Sequence, residues 1–323
     1  MSGPSSTDAS DASPVPGSVP PAGPMLEVTP SRASRVGRLD VRRALPRRGR
    51  RTVGAWCFAD HLGPVAVTEE AGVDVGPHPH IGLQTVTWLL AGEVLHRDSL
   101  GSEQVVRPGQ LNLMTAGRGV VHAEEATGRY RGPLHGVQLW VAQPSATRDG
   151  PPAFEHHAEL PRLEMAGPGG GTAALATVLL GELDGARSPA RRDSDHVGVD
   201  LELVGPPTAV ALRADHEHAV VVLDGAVAID GTDLTPGHLA YLGTDRDELG
   251  VAPVDGPARI LLLGGTPFAE EVVMWWNFVA RSRDELGEAR RQWSDGDPRF
   301  GPVASRLERV TVAPPPWEPS AAG

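Results

Sequence analysis

The residues of this chain best suited to chemistry are His78-Pro79-His80 and His122-Ala123-Glu124. In each motif the two donors stand at i and i+2, the spacing that puts side chains on one face of a β-strand. Two such strands laid together would aim three imidazoles and one carboxylate at a single point. Neutral imidazole and carboxylate suit Fe(II), Mn(II), Ni(II), Cu(II) or Zn(II). Four protein ligands leave an octahedral ion two open positions, which favours redox or oxygen chemistry over a closed site. The donor set holds no thiolate, which argues against structural zinc. The one cysteine, Cys57, lies between Trp56 and Phe58 and reads as a small buried hydrophobe.

Donors some forty residues apart meet only if the chain between them doubles back. That segment is strand after strand. Gln84–Leu90 is rich in β-formers, Gly92-Glu93 turns it, and Val94–Ser99 continues. Leu100-Gly101-Ser102 and Pro108-Gly109 turn again, around Val105-Val106. Leu111–Met114, the loop Gly117-Arg118-Gly119, and Val120–Glu124 lead on to His135–Ala142. Short strands at this spacing predict a sandwich or barrel. Gly117 and Gly119 relax the backbone ahead of the second donor strand. Pro79 lacks a ladder donor and suits an edge or a barrel mouth.

The chain's 323 residues leave room for two domains with real cores. Acids outnumber bases, 41 to 29, giving a formal charge of −12, so nothing steers the protein toward nucleic acid or an anionic membrane. Every base is Arg, which excludes Schiff-base lysine chemistry and a P-loop lysine. Nine Arg stand between Arg32 and Arg51 with one acid, Asp40. No aromatic interleaves them, so this stretch reads as a solvated lead-in to an acidic body. No apolar run is long enough to span a bilayer, and the N-terminus lacks the apolar core of a signal peptide. The expected location is the cytoplasm.

Residues 1 to about 25 are low-complexity, and a Ser/Pro/Ala-rich tail without fixed structure is expected over 1–35. Residues 143–172 read as a Pro/Gly-rich interdomain connection, with a second strand-rich region over 173–265. A helix is expected over 282–293, opened by the capping box of Ser282 and Glu285. The Pro-rich end from Ala313 should be loose. The two strand-rich halves repeat one another. Leu89–Val94 matches Val222–Val227, and Arg107–Leu111 matches Thr235–Leu239. In this alignment Ala211 and Arg213 stand for His78 and His80, while Gly250 and Ala252 stand for His122 and Glu124. The second copy has lost its ligands, and His216 and His218 fall outside the register.

Other histidines rank lower. His96, in Leu95-His96-Arg97-Asp98, should pair with a nearby acid. His156-His157 should be exposed on the connector. His61 and His135 are weaker candidates to support the ligands through hydrogen bonds.

At these motifs the chain resembles the pirin family, bicupins of the cupin superfamily. The resemblance is carried by Pro77-His78-Pro79-His80, by His96–Gly101, by Met114–Glu124 and by Leu134–Val141. Phe58–Pro64, Leu263-Gly264-Gly265 and Val272–Trp275 also fit, so it spans roughly residues 36–300. It implies an all-β fold of two tandem cupin barrels with a short C-terminal helix. It places the metal-binding N-terminal cupin at 36–145, a metal-free C-terminal cupin at 146–300 and a Pro-rich tail at 301–323. It implies one metal, usually iron as Fe(II), on His78, His80, His122 and Glu124. Many pirins carry Arg directly after the second His and Glu four positions after it, where this chain has Ile81 and Gln84. Neither position is a ligand in the family.

The resemblance implies an enzyme like quercetin 2,3-dioxygenase, which opens a flavonol ring with O2 and releases carbon monoxide. The partners would then be a small aromatic substrate and O2. Glu124 would act as catalytic base, and Arg118 would either orient an anionic substrate or anchor its loop. The alternative is an iron-dependent redox sensor that binds a protein partner. Pirins are often monomeric, and a monomer is expected.

Overall fold

The computed structural model describes residues 25–68 and 72–318. Its first barrel is built from strands β2 (Arg32–Val36), β3 (Leu39–Leu45), β4 (Trp56–Val67), β5 (Val75–His80), β6 (Leu83–Ala91), β7 (Val94–Asp98), β8 (Glu103–Val106), β9 (Leu111–Thr115), β10 (Val120–Glu125), β11 (Gly132–Ala142) and β12 (Ala153–His157), which follow β1 (Glu27–Pro30) in the chain. A sheet in the order β12-β9-β6-β11-β4-β3-β2 faces a sheet in the order β5-β10-β7-β8. The second barrel is one sheet wrapped on itself. Its order runs from β1 through strands His238–Gly243, Glu217–Ile229, Glu248–Gly265, His196–Leu203, Thr172–Leu180 and Arg162–Ala166. The architecture is the expected pair of tandem β-barrels.

Strand alternation decides which residues face which core. On β11, Val137, Leu139 and Val141 point at the second barrel. They join Val86 and Trp88 of β6, Leu111 and Leu113 of β9, and Val221, Leu223, Leu261 and Leu263 of the second barrel in one hydrophobic cluster. Two buried indoles bolt the halves together. Trp56 Nε1 donates to the carbonyls of Val197 and Gly264, at 3.0 and 3.2 Å. Trp88 Nε1 donates to Asp200, which Arg259 holds as an ion pair. Gly198 lets Trp56 approach, since a Cβ there would lie 2.8 Å from the indole. The second barrel is filled by Val199, Leu201, Val220, Val222, Ile260 and Leu262.

Three expectations about the edges are corrected. Residues 1–24 lie outside the described residues, but 25–35 are not a loose tail. Glu27–Pro30 pairs with His238–Gly243, and Arg32–Val36 pairs with β3. Each covers a sheet edge that would otherwise leave backbone groups unpaired. The connector contributes strands as well. Ala153–His157 pairs with β9, which half-buries His156 and His157, and Arg162–Ala166 pairs with Thr172–Leu180. The C-terminal segment is packed rather than loose. Phe300, Val303, Val312 and Trp317 lie against helix α1 (Arg283–Asp295), and the Val310 amide donates to the Pro77 carbonyl. Proline suits such a strap, because an extended segment outside a ladder has no use for the missing N–H.

Helix α1 starts as expected, with the Ser282 hydroxyl accepting from the Glu285 amide and Gly296 closing it in the left-handed region at φ 73°. Among the arginines of the lead-in, Arg43 makes a buried two-pronged contact with Asp60, and Arg50 reaches Glu27 and the Tyr241 ring. Among the described residues, no helix is long and apolar enough to cross a membrane.

The second barrel carries an acid-sensitive core. Burial holds His196 and His218 down to about 4, so both are neutral when folded at pH 7. In the unfolded chain they protonate near 6.5. As pH falls from 6.5 toward 4 the unfolded state takes up protons that the folded state refuses, so stability is lost across that window. At pH 5 each should contribute a loss of about 2 kcal/mol. Urea unfolding at pH 7 and pH 5 reads this. A His196→Gln/His218→Gln variant should lose less stability on acidification than wild type, and an unchanged difference contradicts the assignment.

Candidate metal centre

The two motifs lie on neighbouring antiparallel strands, β5 and β10, in the register His78 to His122 and His80 to Val120. His78, His80 and His122 therefore share the inward face. Ile81 and Val121 point outward and are covered by Phe278, Leu286, Trp293 and Phe300. The loop before β10 is tight. At Gly117, with φ 52°, a Cβ would meet the Gly150 carbonyl at 2.3 Å.

Donor atoms of His78, His80 and His122 all lie within 4.8 Å of one another, and all three residues are buried. Among the described residues this is the only such cluster of three or more His, Cys, Asp or Glu. Burial, aided by neighbouring imidazoles, lowers His78 to about 4 and holds His80 and His122 well below the usual imidazole range. All three are neutral at pH 7.

The hydrogen bonds to carbonyls fix which nitrogen carries the proton on the neutral rings of His78 and His80. His78 Nδ1 lies 2.8 Å from the Gly76 carbonyl and His80 Nδ1 lies 3.0 Å from that of Asn277. A carbonyl only accepts, so both Nδ1 atoms are N–H donors. His96 Nε2 lies 3.0 Å from Asp98 Oδ2 and donates to it, and in the neutral ring its Nδ1 is an acceptor. His122 Nδ1, 3.4 Å from that acceptor, is then the donor of the pair. With His96 neutral, each of the three ligand candidates presents a bare Nε2 lone pair. His80 Nε2 and His122 Nε2 face each other at 3.1 Å with no proton left to share. Two lone pairs at that distance repel unless a cation stands beside both. The residues present fit a bound divalent metal.

Glu124 stands two residues beyond His122 on the same strand face, and a register shift in the β5–β10 pairing falls between them. Its carboxylate is outside the mutually close imidazole group. Burial alone pushes the Glu124 carboxyl up to about 7. The facing sheet supplies aromatic walls. Trp140 meets His80 edge-on at 5.2 Å between ring centroids and stacks on Phe58 at 4.0 Å. Phe154 stacks on His96 at 4.4 Å.

His96 and Asp98 are the functional residues that sequence reasoning undervalued. The acid partner of His96 was expected, but its grip on His122 was not. The signal was a third i, i+2 pair, on β7, registered so that Asp98 lies beside His122 and His96 beside Glu124. Other candidates fall elsewhere. His61 and His135 bond to each other, Nε2 to Nε2 at 2.8 Å, rather than to the three donors. Arg118 is exposed, and its backbone carries the loop anchor, through the Gly150 carbonyl and the Arg299 side chain. His216 and His218 are buried in the second barrel, where Asp195 lies 3.4 Å from His216. Ala209 pairs with Gly250 and Ala211 with Glu248 on the strands equivalent to β5 and β10, where no imidazole stands. Cys57 is fully buried, with its thiol pushed up to about 12, which makes it inert.

Two sequence families cover most of the barrels. The Pirin profile matches residues 38–141, and that of the Pirin C-terminal cupin domain matches residues 199–301. The chain is 44% identical over 297 residues to a Pseudomonas aeruginosa protein provisionally named as a quercetin 2,3-dioxygenase, covering 91% of this chain and 92% of the relative. It is 37% identical to a pirin-like protein of Caulobacter vibrioides, covering 82% and 92%. The crystal structure of quercetin 2,3-dioxygenase from Acinetobacter baumannii superposes with a TM-score of 0.86 at 41% identity, covering 91% of this chain and 97% of that one. With two tandem cupin barrels, three converging imidazoles in the first and none at the matching positions of the second, the chain belongs to the pirin family.

Proposed function

We propose that this pirin is a metal-dependent dioxygenase that opens the ring of quercetin-like flavonols or a related aromatic substrate. The observation that carries the reading is the convergence of three buried imidazoles, with all donor atoms within 4.8 Å of one another and His80 Nε2 facing His122 Nε2 at 3.1 Å. His78, His80 and His122 would hold one divalent transition ion with Glu124 as fourth ligand. Fe(II) is the ion we favour; Mn(II), Cu(II), Ni(II) and Zn(II) suit the same donors. Bound there, such an ion supplies Lewis acidity and, except for zinc, a redox couple.

The protein's own groups do the rest. Glu124, the one carboxylate of the donor set, would take the proton of the substrate's enolic hydroxyl and give it up again. Trp140, Phe58 and Phe154 offer flat apolar surface for a planar ring and keep water from it. The relatives named as quercetin dioxygenases support this substrate class. The test is an oxygen electrode with iron-, copper- or manganese-loaded protein and a flavonol panel. The expected result is flavonol and O2 consumed together with carbon monoxide released. Turnover no higher than in His122→Ala overturns the reading.

The runner-up is a redox-sensing regulator. It is favoured by the bond from His80 to the Asn277 carbonyl, which ties the site to the hairpin formed by Val273–Trp275 and Phe278–Ala280. The net charge of −12 suits a protein partner over direct DNA contact. Partners that change between ferrous and ferric protein in a pull-down would support it.

A further inference from the structure

The interior wall opposite the histidines is layered. Register places Phe154, Met114, Thr85, Trp140 and Phe58 side by side in one row across β12, β9, β6, β11 and β4. This is the row that touches the histidines, through Phe154 on His96 and Trp140 on His80. Two residues along each strand lies a second row: His156, Asn112, Thr87, Gln138 and Asp60. It is polar throughout. At about 3.4 Å per residue it stands some ~7 Å beyond the aromatic row. The alternate residues of these strands, Leu111, Leu113, Val86, Val137 and Leu139, face the second barrel, so both rows face the interior of the first.

Most of the polar row satisfies itself. Arg43 holds Asp60 with two hydrogen bonds of 2.7 Å. The Thr87 hydroxyl donates to Gln138 Oε1 at 2.9 Å. Asn112 Oδ1 accepts from His156 Nδ1 at 2.7 Å. Asn112 Nδ2 has no partner, although Asn112 is only 3% exposed. A buried amide donor left open is unusual, because losing its water without replacement is unfavourable. Gln84 also has an unpaired buried atom, but it sits in line with Val86 and Leu113, facing the other barrel.

We propose that Asn112 is a specificity-determining residue: its side-chain amide binds an acceptor oxygen of the substrate at the end remote from the metal. The ligand class is then a planar aromatic that carries oxygen at both ends, one set for the metal and another for the polar row. The aromatic row holds the ring between them. This rests on the dioxygenase reading above and narrows its substrate. A compound with only the metal-facing oxygens would leave Asn112 unpaired and bind less tightly.

The test compares quercetin with 3-hydroxyflavone, which keeps the 3-hydroxy-4-keto pair and lacks every other oxygen substituent. Binding is measured by anaerobic calorimetry on metal-loaded and metal-free protein, for wild type, Asn112→Ala and Asn112→Asp. The aspartate variant keeps an acceptor for His156 and removes the amide donor, so it guards against a folding defect in the alanine variant. Thermal unfolding matched to wild type confirms each. Wild type should prefer quercetin. Both variants should lose about three- to tenfold in quercetin affinity and leave 3-hydroxyflavone unchanged, the loss expected for one neutral hydrogen bond. Equal shifts for both compounds, or no shift for quercetin, overturn the role of Asn112 and leave the dioxygenase reading standing. Wild-type protein that binds neither compound overturns both.

Discussion

His122→Ala should lose more than about a hundredfold in divalent metal affinity, beyond the 10–100-fold typical of losing a hydrogen bond to a ligand. His122 is the hub of the imidazole cluster. Its Nε2 lies 3.1 Å from that of His80, and its ring centroid lies 4.4 Å from that of His78. Without it, two imidazoles and a carboxylate remain, and the lone-pair conflict that a cation relieves is gone. Two measurements follow. Metal retained after dialysis against a weak chelator should fall from one equivalent to none. The thermal stabilisation on metal addition, about 2.7 kcal/mol at a hundredfold excess over Kd, should vanish with it. Metal retained at the wild-type level contradicts the assignment.

Asp98→Asn should weaken metal binding by about 10–100-fold without touching a ligand. The argument runs along two protons. Asp98 Oδ2 accepts from His96 Nε2, and Oδ1 accepts from the amides of Leu100 and Ser102. Asparagine can keep Oδ1 for the turn but offers an N–H₂ where Oδ2 stood. His96 Nε2 then must become an acceptor, so its proton moves to Nδ1. That N–H would confront the N–H of His122 Nδ1 at 3.4 Å. His122 escapes by shifting its own proton to Nε2, which aims a hydrogen at the metal position. The readout is a competition titration against a colorimetric chelator, with far-UV circular dichroism unchanged. His96→Gln should show a loss of the same order. Wild-type affinity in both variants would show that the Asp98–His96–His122 chain does not set the tautomer.

Much of this was legible in the residues because strand chemistry is local. The i, i+2 spacing of His78/His80 and His122/Glu124 carried the shared face, and the turn signals between them carried the return of the chain. The internal repeat sets Ala211 and Gly250 at the places of His78 and His122, whereas the strands pair Gly250 with Ala209 and Ala211 with Glu248, a shift of two residues. Three features were hidden because they depend on partners distant in sequence. Glu27–Pro30 has no strand pattern of its own, and pairs because His238–Gly243 offers an open edge. His156 looked like a connector residue until β12 docked on β9 and turned it toward Asn112. His96 and Asp98 spelled an ordinary ion pair, and only the register of β7 on β10 gives that pair a hold on His122. The hydrophobic cluster between the barrels needed the same long-range knowledge, since Trp56 and Trp88 find their acceptors at Val197, Gly264 and Asp200.

The most direct measurement is anaerobic titration of metal-free protein with Fe(II), followed by X-ray absorption at the iron edge. One equivalent bound per chain, with the scattering of three imidazoles in the first shell that is lost in His122→Ala, is the expected result. A chain that takes up no ferrous ion, or one whose iron environment is unchanged in that variant, contradicts the metal centre and the function built on it.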